Sequence, residues 1–150
     1  MLQSVERRAG VETSRCDAVL GVECRRRSAR DATLVNGRVY TFGATGLLNA
    51  PDAASGAVMW SRNPASDTGT QIPTRGFGIS PLVVDDLVIV AVSGTLAAYD
   101  LATGTPRWVG PDRDGTYSSP QLATIDGVAQ ILLLSLPGAT SVAPSDGAPL

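Results

Sequence analysis

The stretch Ala50-Pro51-Asp52-Ala53-Ala54-Ser55-Gly56-Ala57-Val58-Met59-Trp60 returns 48 residues later as Ala98-Tyr99-Asp100-Leu101-Ala102-Thr103-Gly104-Thr105-Pro106-Arg107-Trp108. In both copies Asp follows Ala by two positions, Gly follows Asp by four, and Trp follows Gly by four. A repeat with a period of about 20 to 50 residues marks a chain built from like units, each covering its apolar face with the next.

Each position of the pattern has a physical reason. Asp52 and Asp100 can hold a turn by accepting backbone N–H groups, and Gly56 and Gly104 can take a positive φ without steric cost. Trp60 and Trp108 each offer a large apolar surface with one N–H donor, which suits docking against a neighbouring unit. Ala50 and Ala98 leave room for something flat. Burial of both indoles at contacts between units is the preferred expectation, with stacking of a flat ligand as the alternative.

The pattern Ala-x-Asp-x-x-(Ser/Thr)-Gly-x-x-x-Trp over residues 50–60 and 98–108 resembles the tryptophan-docking motif of quinoprotein-type β-propellers, the family of pyrroloquinoline-quinone-like (PQQ-like) repeats. The resemblance spans residues 32–150 and implies an all-β fold of four-stranded antiparallel blades. It implies a structural docking role for Ala50, Asp52, Gly56, Trp60, Ala98, Asp100, Gly104 and Trp108. The family includes quinone-dependent alcohol dehydrogenases and non-enzymatic scaffold proteins, so the motif speaks for fold and not for activity.

The strands can be placed from local signals. In the first unit Thr33-Leu34-Val35, Asn36-Gly37 and Arg38-Val39-Tyr40-Thr41-Phe42 form a hairpin pattern, because Asn-Gly suits a type I′ turn. Residues 46–50 and a segment starting at Val58 supply the third and fourth strands. In the second unit the run from Leu87 to Val92 is apolar at every position, as in a strand covered on both faces. The third unit has strands around residues 119–122, 129–134 and 140–142, with a turn at Asp126-Gly127. Its motif is degraded: with Gly147 aligned to Gly56 and Gly104, Ala143 stands where Asp stands, and no Trp follows within the sequence. The blades expected are 32–70, 78–114 and 117–150, the last incomplete. Three blades do not close a ring of about four to eight, so a segment of a longer propeller is expected, or association of several chains through uncovered apolar faces.

Residues 1–31 read differently. Seven of the twelve arginines fall in residues 1–30 against four acidic residues, a balance of +3, while residues 31–150 carry −5. This segment is expected to be a poorly ordered basic leader. Cys16 and Cys24, the only cysteines, have no histidine companions and no zinc spacing. The N-terminus has no apolar signal-peptide core, and no stretch is long and apolar enough for a transmembrane helix.

The 150 residues contain no histidine and no lysine, which removes the commonest general base and any Schiff-base lysine. The acidic repeat region has no basic stripe for nucleic acid. Calcium wants about six to eight oxygen ligands, and the close acidic pairs, Asp85-Asp86 and Asp112 with Asp114, sit in turns and loops. A quinone bearing carboxylates would want converging cations, whereas Arg62, Arg75, Arg107 and Arg113 lie in separate segments. The expectation is a non-catalytic structural or interaction segment without catalytic, cofactor or metal residues. The alternative is part of a quinone-dependent dehydrogenase, with PQQ and calcium. Its partners would be other blades or other proteins, and the resemblance implies a periplasmic or secreted parent. The long link over residues 63–78 is expected to be an ordinary tolerated insertion, and is the first candidate in the chain for a recognition surface.

Overall fold

Asn36 and Gly37 both have positive φ, 51° and 72°, the backbone a type I′ turn requires. They fold β1 (Thr33–Val35) back on β2 (Arg38–Phe42). In this computed structural model, which describes residues 32–113, 115, 117–136 and 138–150, β3 (Leu48–Pro51) and β4 (Val58–Arg62) complete a sheet of order β1-β2-β3-β4. After a short helix, α1 (Pro64–Thr68), the plan repeats. The second sheet has the order β5 (Leu82–Val84), β6 (Leu87–Val92), β7 (Thr95–Asp100) and β8 (Pro106–Val109). All neighbouring strands in both sheets are antiparallel.

The third sheet holds three strands, β9 (Gln121–Ile125), β10 (Val128–Ser135) and β11 (Gly138–Val142), with β10 in the middle. A single bridge, Val142 to Pro149, stands where a fourth strand begins in the other two. The equivalent pairs there are Pro51 with Val58 and Tyr99 with Pro106. Contacts of β1 with β5 and of β5 with β9 gather the first strands of the three sheets on one side. The last strands of the first two sheets, β4 and β8, therefore lie at the opposite, outer margin.

Every residue of β6 is buried, which accounts for its lack of alternation: a strand covered on both faces has no water-facing set of residues. Fully burying a Val or Ile contributes about 1.5–3 kcal/mol, and Val88, Ile89 and Val90 are all without solvent contact. The core runs on through Tyr40, Phe42 and Leu48 on one side and Ile131, Leu133 and Val142 on the other. β9 shows the contrast, with Leu122 and Ile125 exposed on the far sheet.

The link over residues 63–78, which the sequence reading left without an element of its own, contains a short helix and packs on the sheets. Asn63 Oδ1 accepts the Ser66 N–H at 3.2 Å, Pro64 opens the helix, and Gly69 ends it at φ 67°, a full set of start and stop signals. α1 packs on β6 and β7, and Phe77 is buried with its ring centroid 5.1 Å from that of Phe42. Both ends of the link join the first sheet to the second. Gln71, Ile72, Thr74 and Arg75 remain exposed at its tip. The basic N-terminal segment with Cys16 and Cys24, and Asp114 of the acidic pair, lie outside the described residues. No helix among the described residues is long and apolar enough to cross a membrane.

Candidate functional site

The doubled motif forms the same turn twice. Asp52 Oδ1 accepts the N–H groups of Ala54 and Ser55 at 3.0 and 2.8 Å and the Ser55 hydroxyl at 2.9 Å. Asp100 Oδ1 does the same for Ala102, Thr103 and the Thr103 hydroxyl, at 3.0, 2.9 and 3.1 Å. These donors stabilise the ionised carboxylate. The Ser55 N–H, first, holds Asp52 below its ordinary pKa, and the Thr103 N–H does so for Asp100. The main chain closes each turn with Gly56 N–H to Asp52 O and Gly104 N–H to Asp100 O.

The third unit keeps this backbone without the acid. Gly147 N–H donates to Ala143 O at 2.9 Å and Ala143 N–H to Ala148 O at 2.8 Å. Ala143 cannot cap the turn, and Asp146 Oδ1 instead accepts the Ala148 N–H at 3.0 Å. The degraded motif thus folds like its intact copies because main-chain bonds close the turn.

Each indole reaches from its own sheet to the turn of the next. Trp60, opposite Ala50 across the β3–β4 ladder, donates its Nε1–H to Leu101 O at 3.3 Å. Its ring lies on Gly104, where a β-carbon would come within 2.6 Å of the indole. Trp108, opposite Ala98, donates Nε1–H to Pro144 O at 3.0 Å and lies on Gly147 in the same way. Gly104 and Gly147 are buried, whereas both indoles are only half-buried, less than the full burial expected. The outward edge of each ring stays in contact with water.

Residues the sequence reading did not single out crowd the first of these seams. Leu101 O also accepts the Tyr40 hydroxyl at 2.9 Å and Arg38 Nη1 at 3.3 Å, and the same guanidinium nitrogen reaches Ala102 O at 2.9 Å. Nearby, the Tyr99 hydroxyl donates to Asp67 Oδ2 at 3.0 Å, and Arg62 pairs with the same oxygen at 3.4 Å. Burial, then the Asp67 charge, raise the Tyr99 pKa, and burial raises that of Tyr40. A carbonyl that collects three donors leaves no trace in side-chain spacing. Tyr99, however, occupies the variable position between Ala98 and Asp100, where a polar aromatic was a usable signal.

The other candidate residues do not converge. Asp86 and Asp100 both pair with Arg107, at 3.3 and 2.9 Å, Asp85 stands exposed in the β5–β6 turn, and Asp112 accepts the Thr95 hydroxyl at 3.0 Å. Among the described residues no three His, Cys, Asp or Glu come together in a way that could hold a metal ion. For a carboxylate-bearing quinone the cations are equally dispersed. Arg62 and Arg107 are tied to aspartates, Arg75 lies at the exposed tip of the link, and Arg113 borders a shallow depression with Ser135, Thr140 and Leu150.

A family model described as outer membrane protein assembly factor BamB matches residues 2–150, reaching beyond the 32–150 span of the motif resemblance. The chain is 32% identical over 96 residues to the lanthanide-dependent methanol dehydrogenase of Methylacidiphilum fumariolicum, covering 57% of this chain and 15% of that protein. It is 33% identical over 84 residues to outer membrane protein assembly factor BamB of Shewanella oneidensis, covering 55% of this chain and 19% of that protein. Among solved structures, the quinohemoprotein alcohol dehydrogenase of Comamonas testosteroni superposes with a TM-score of 0.64 at 19% identity, over 82% of this chain and 26% of that one. The last likeness establishes the fold alone. In each case the chain spans well under half of the relative's length.

Proposed function

The chain belongs to the outer membrane protein assembly factor BamB family of PQQ-like β-propeller proteins, and from that premise we propose that it is a non-catalytic structural or protein-interaction segment of a larger propeller. In this reading residues 32–70, 78–114 and 117–150 are its blades and residues 1–31 a basic leader. Ala50, Asp52, Gly56, Trp60, Ala98, Asp100, Gly104 and Trp108 serve docking between blades. The parent protein binds other proteins and no nucleic acid, works in the periplasm or outside the cell, and uses neither PQQ nor calcium in this segment.

One observation carries the reading: the motif's indoles are engaged at the seams between sheets, and the arginines beside them are paired with aspartates. The Trp60 and Trp108 N–H groups enter carbonyls of the following sheet, and Arg62 and Arg107 are held by aspartates. Groups engaged in this way are not poised toward a substrate. A second reading, a piece of a quinone-dependent dehydrogenase, draws on the likeness to the methanol dehydrogenase.

Titration of the purified chain with pyrroloquinoline quinone and calcium, followed by tryptophan fluorescence, separates the two. No saturable quenching is expected. Saturable quenching, lost on adding a calcium chelator, would overturn the scaffold reading in favour of the dehydrogenase.

A further inference from the structure

Three asparagines occur in the chain, Asn36, Asn49 and Asn63, and only Asn36 is followed by glycine. The next residue matters because its main-chain nitrogen can attack an asparagine side chain, and glycine is the least hindered residue for that approach. Asn63 precedes Pro64, which has no N–H to give up, and its Oδ1 accepts the Ser66 N–H. Asn49 precedes Ala50 inside β3, and its Oδ1 accepts the Ser61 hydroxyl at 2.7 Å. Asn36 and Gly37 are both exposed. Among the described residues no hydrogen bond holds the Asn36 amide, and a β-carbon placed on Gly37 would meet no atom within 4 Å. The turn therefore has room to rotate, and the amide has no competing partner.

The same corner recurs in the other two sheets. Asn36, Asp85 and Asp126 follow Val35, Val84 and Ile125, which pair with Arg38, Leu87 and Val128. Their φ angles are 51°, 52° and 50°, in the left-handed region that Asn and Asp both tolerate. Aspartate thus already stands in two of three equivalent corners. An isoaspartate would be a different matter, since it adds one atom to the main chain between residues 36 and 37. That atom would disturb the Val35–Arg38 register and the bond at 2.8 Å from the Ala53 N–H to Gly37 O, which ties the hairpin to the motif turn of Asp52.

We propose that Asn36 is a spontaneous modification site, losing its side-chain amide through a cyclic imide with Gly37 to give an aspartyl form that keeps the first hairpin and an isoaspartyl form that breaks it. The Gly37 nitrogen gives its proton to solvent base and bonds to Asn36 Cγ, and ammonia leaves with a proton from solvent. Water then opens the ring. Cleavage of the bond from nitrogen to Cγ leaves aspartate, and cleavage of the bond from nitrogen to the main-chain carbonyl carbon leaves isoaspartate. The balance is one water consumed and one ammonia released, with no change of oxidation state. Either product adds a negative charge at neutral pH to a repeat region that is already acidic.

The test incubates the full chain at neutral and mildly alkaline pH and follows each asparagine by peptide mass spectrometry, with a capped peptide of residues 33–38 alongside. Residue 36 should gain the mass of an amide-to-acid exchange, faster as hydroxide rises, and at least about tenfold faster than residue 49. The aspartyl and isoaspartyl forms, separated by chromatography, are then compared by hydrogen exchange. The isoaspartyl form should lose protection at residues 33–42 and 53, while the aspartyl form and Asn36→Asp should match wild type there. An intact Asn36 amide when the peptide is fully converted would overturn the proposal, as would conversion of Asn49 at an equal rate. Equal protection in both product forms, or its loss from the aspartyl form, would also overturn it. The wild-type measurement stands even if Asn36→Asp fails to fold.

Discussion

Gly104 lies so close beneath Trp60 that a β-carbon on it would come within 2.6 Å of the indole, although the two residues belong to different sheets. The glycine is fixed by two demands at once: its φ is 73°, which disfavours any side chain, and the ring above leaves no space for one.

Gly104→Ala should therefore destabilise the chain by about 2–3 kcal/mol, combining the cost of a positive φ with overpacking. In denaturant unfolding, adding Trp60→Ala should recover the overpacking part, so the double variant loses less than the sum of the singles. Strict additivity would mean that the ring and the glycine are not coupled.

Trp108→Ala should cost about 2–4 kcal/mol, toward the lower end of the range for truncating a packed Trp because the ring is half-buried. Trp60→Ala should cost a similar amount and also leave Leu101 O to Tyr40 and Arg38. A loss below about 1 kcal/mol in both would count against docking by the indoles.

Tyr99→Phe removes the hydroxyl bond to Asp67 and should cost about 1–2 kcal/mol. The folded-state pKa of Tyr99 lies above its ordinary value, so the folded chain holds this proton more tightly than the unfolded one. That contribution is complete below about pH 10 and declines as pH rises toward the folded pKa. Wild type should lose thermal stability above that pH faster than Tyr99→Phe. Parallel profiles would contradict this assignment.

Asp52 and Asp100 have folded pKa values below the ordinary one. Their sign is opposite: stabilisation is present above the unfolded pKa of about 3.9 and is lost as pH falls through the folded value. Replacing both by Asn should flatten the acid limb of the stability profile while leaving the alkaline limb in place, as read by thermal melts across acid pH.

Much of the architecture was legible before any coordinates. Asn36-Gly37 and Asp126-Gly127 placed hairpins because few residue pairs accept two positive φ angles, and the uninterrupted apolar run of β6 announced a strand covered on both faces. The helix at Pro64–Thr68 also had its signals in Asn63, Pro64 and Gly69, but a single turn is too short for periodicity to reveal.

What the sequence by itself determined is the repeat: local turn chemistry and strand patterning depend on neighbours a few residues away, and these are written in order along the chain. Only the tertiary structure decided which turn each indole meets, that Leu101 O gathers Trp60, Tyr40 and Arg38, and that Tyr99 reaches Asp67. It also decided that β4 and β8 lie at the outer margin of their sheets. Those relations join residues tens of positions apart through main-chain atoms common to every residue type, so no pattern of side chains encodes them. They follow from how one twisted sheet stacks on the next.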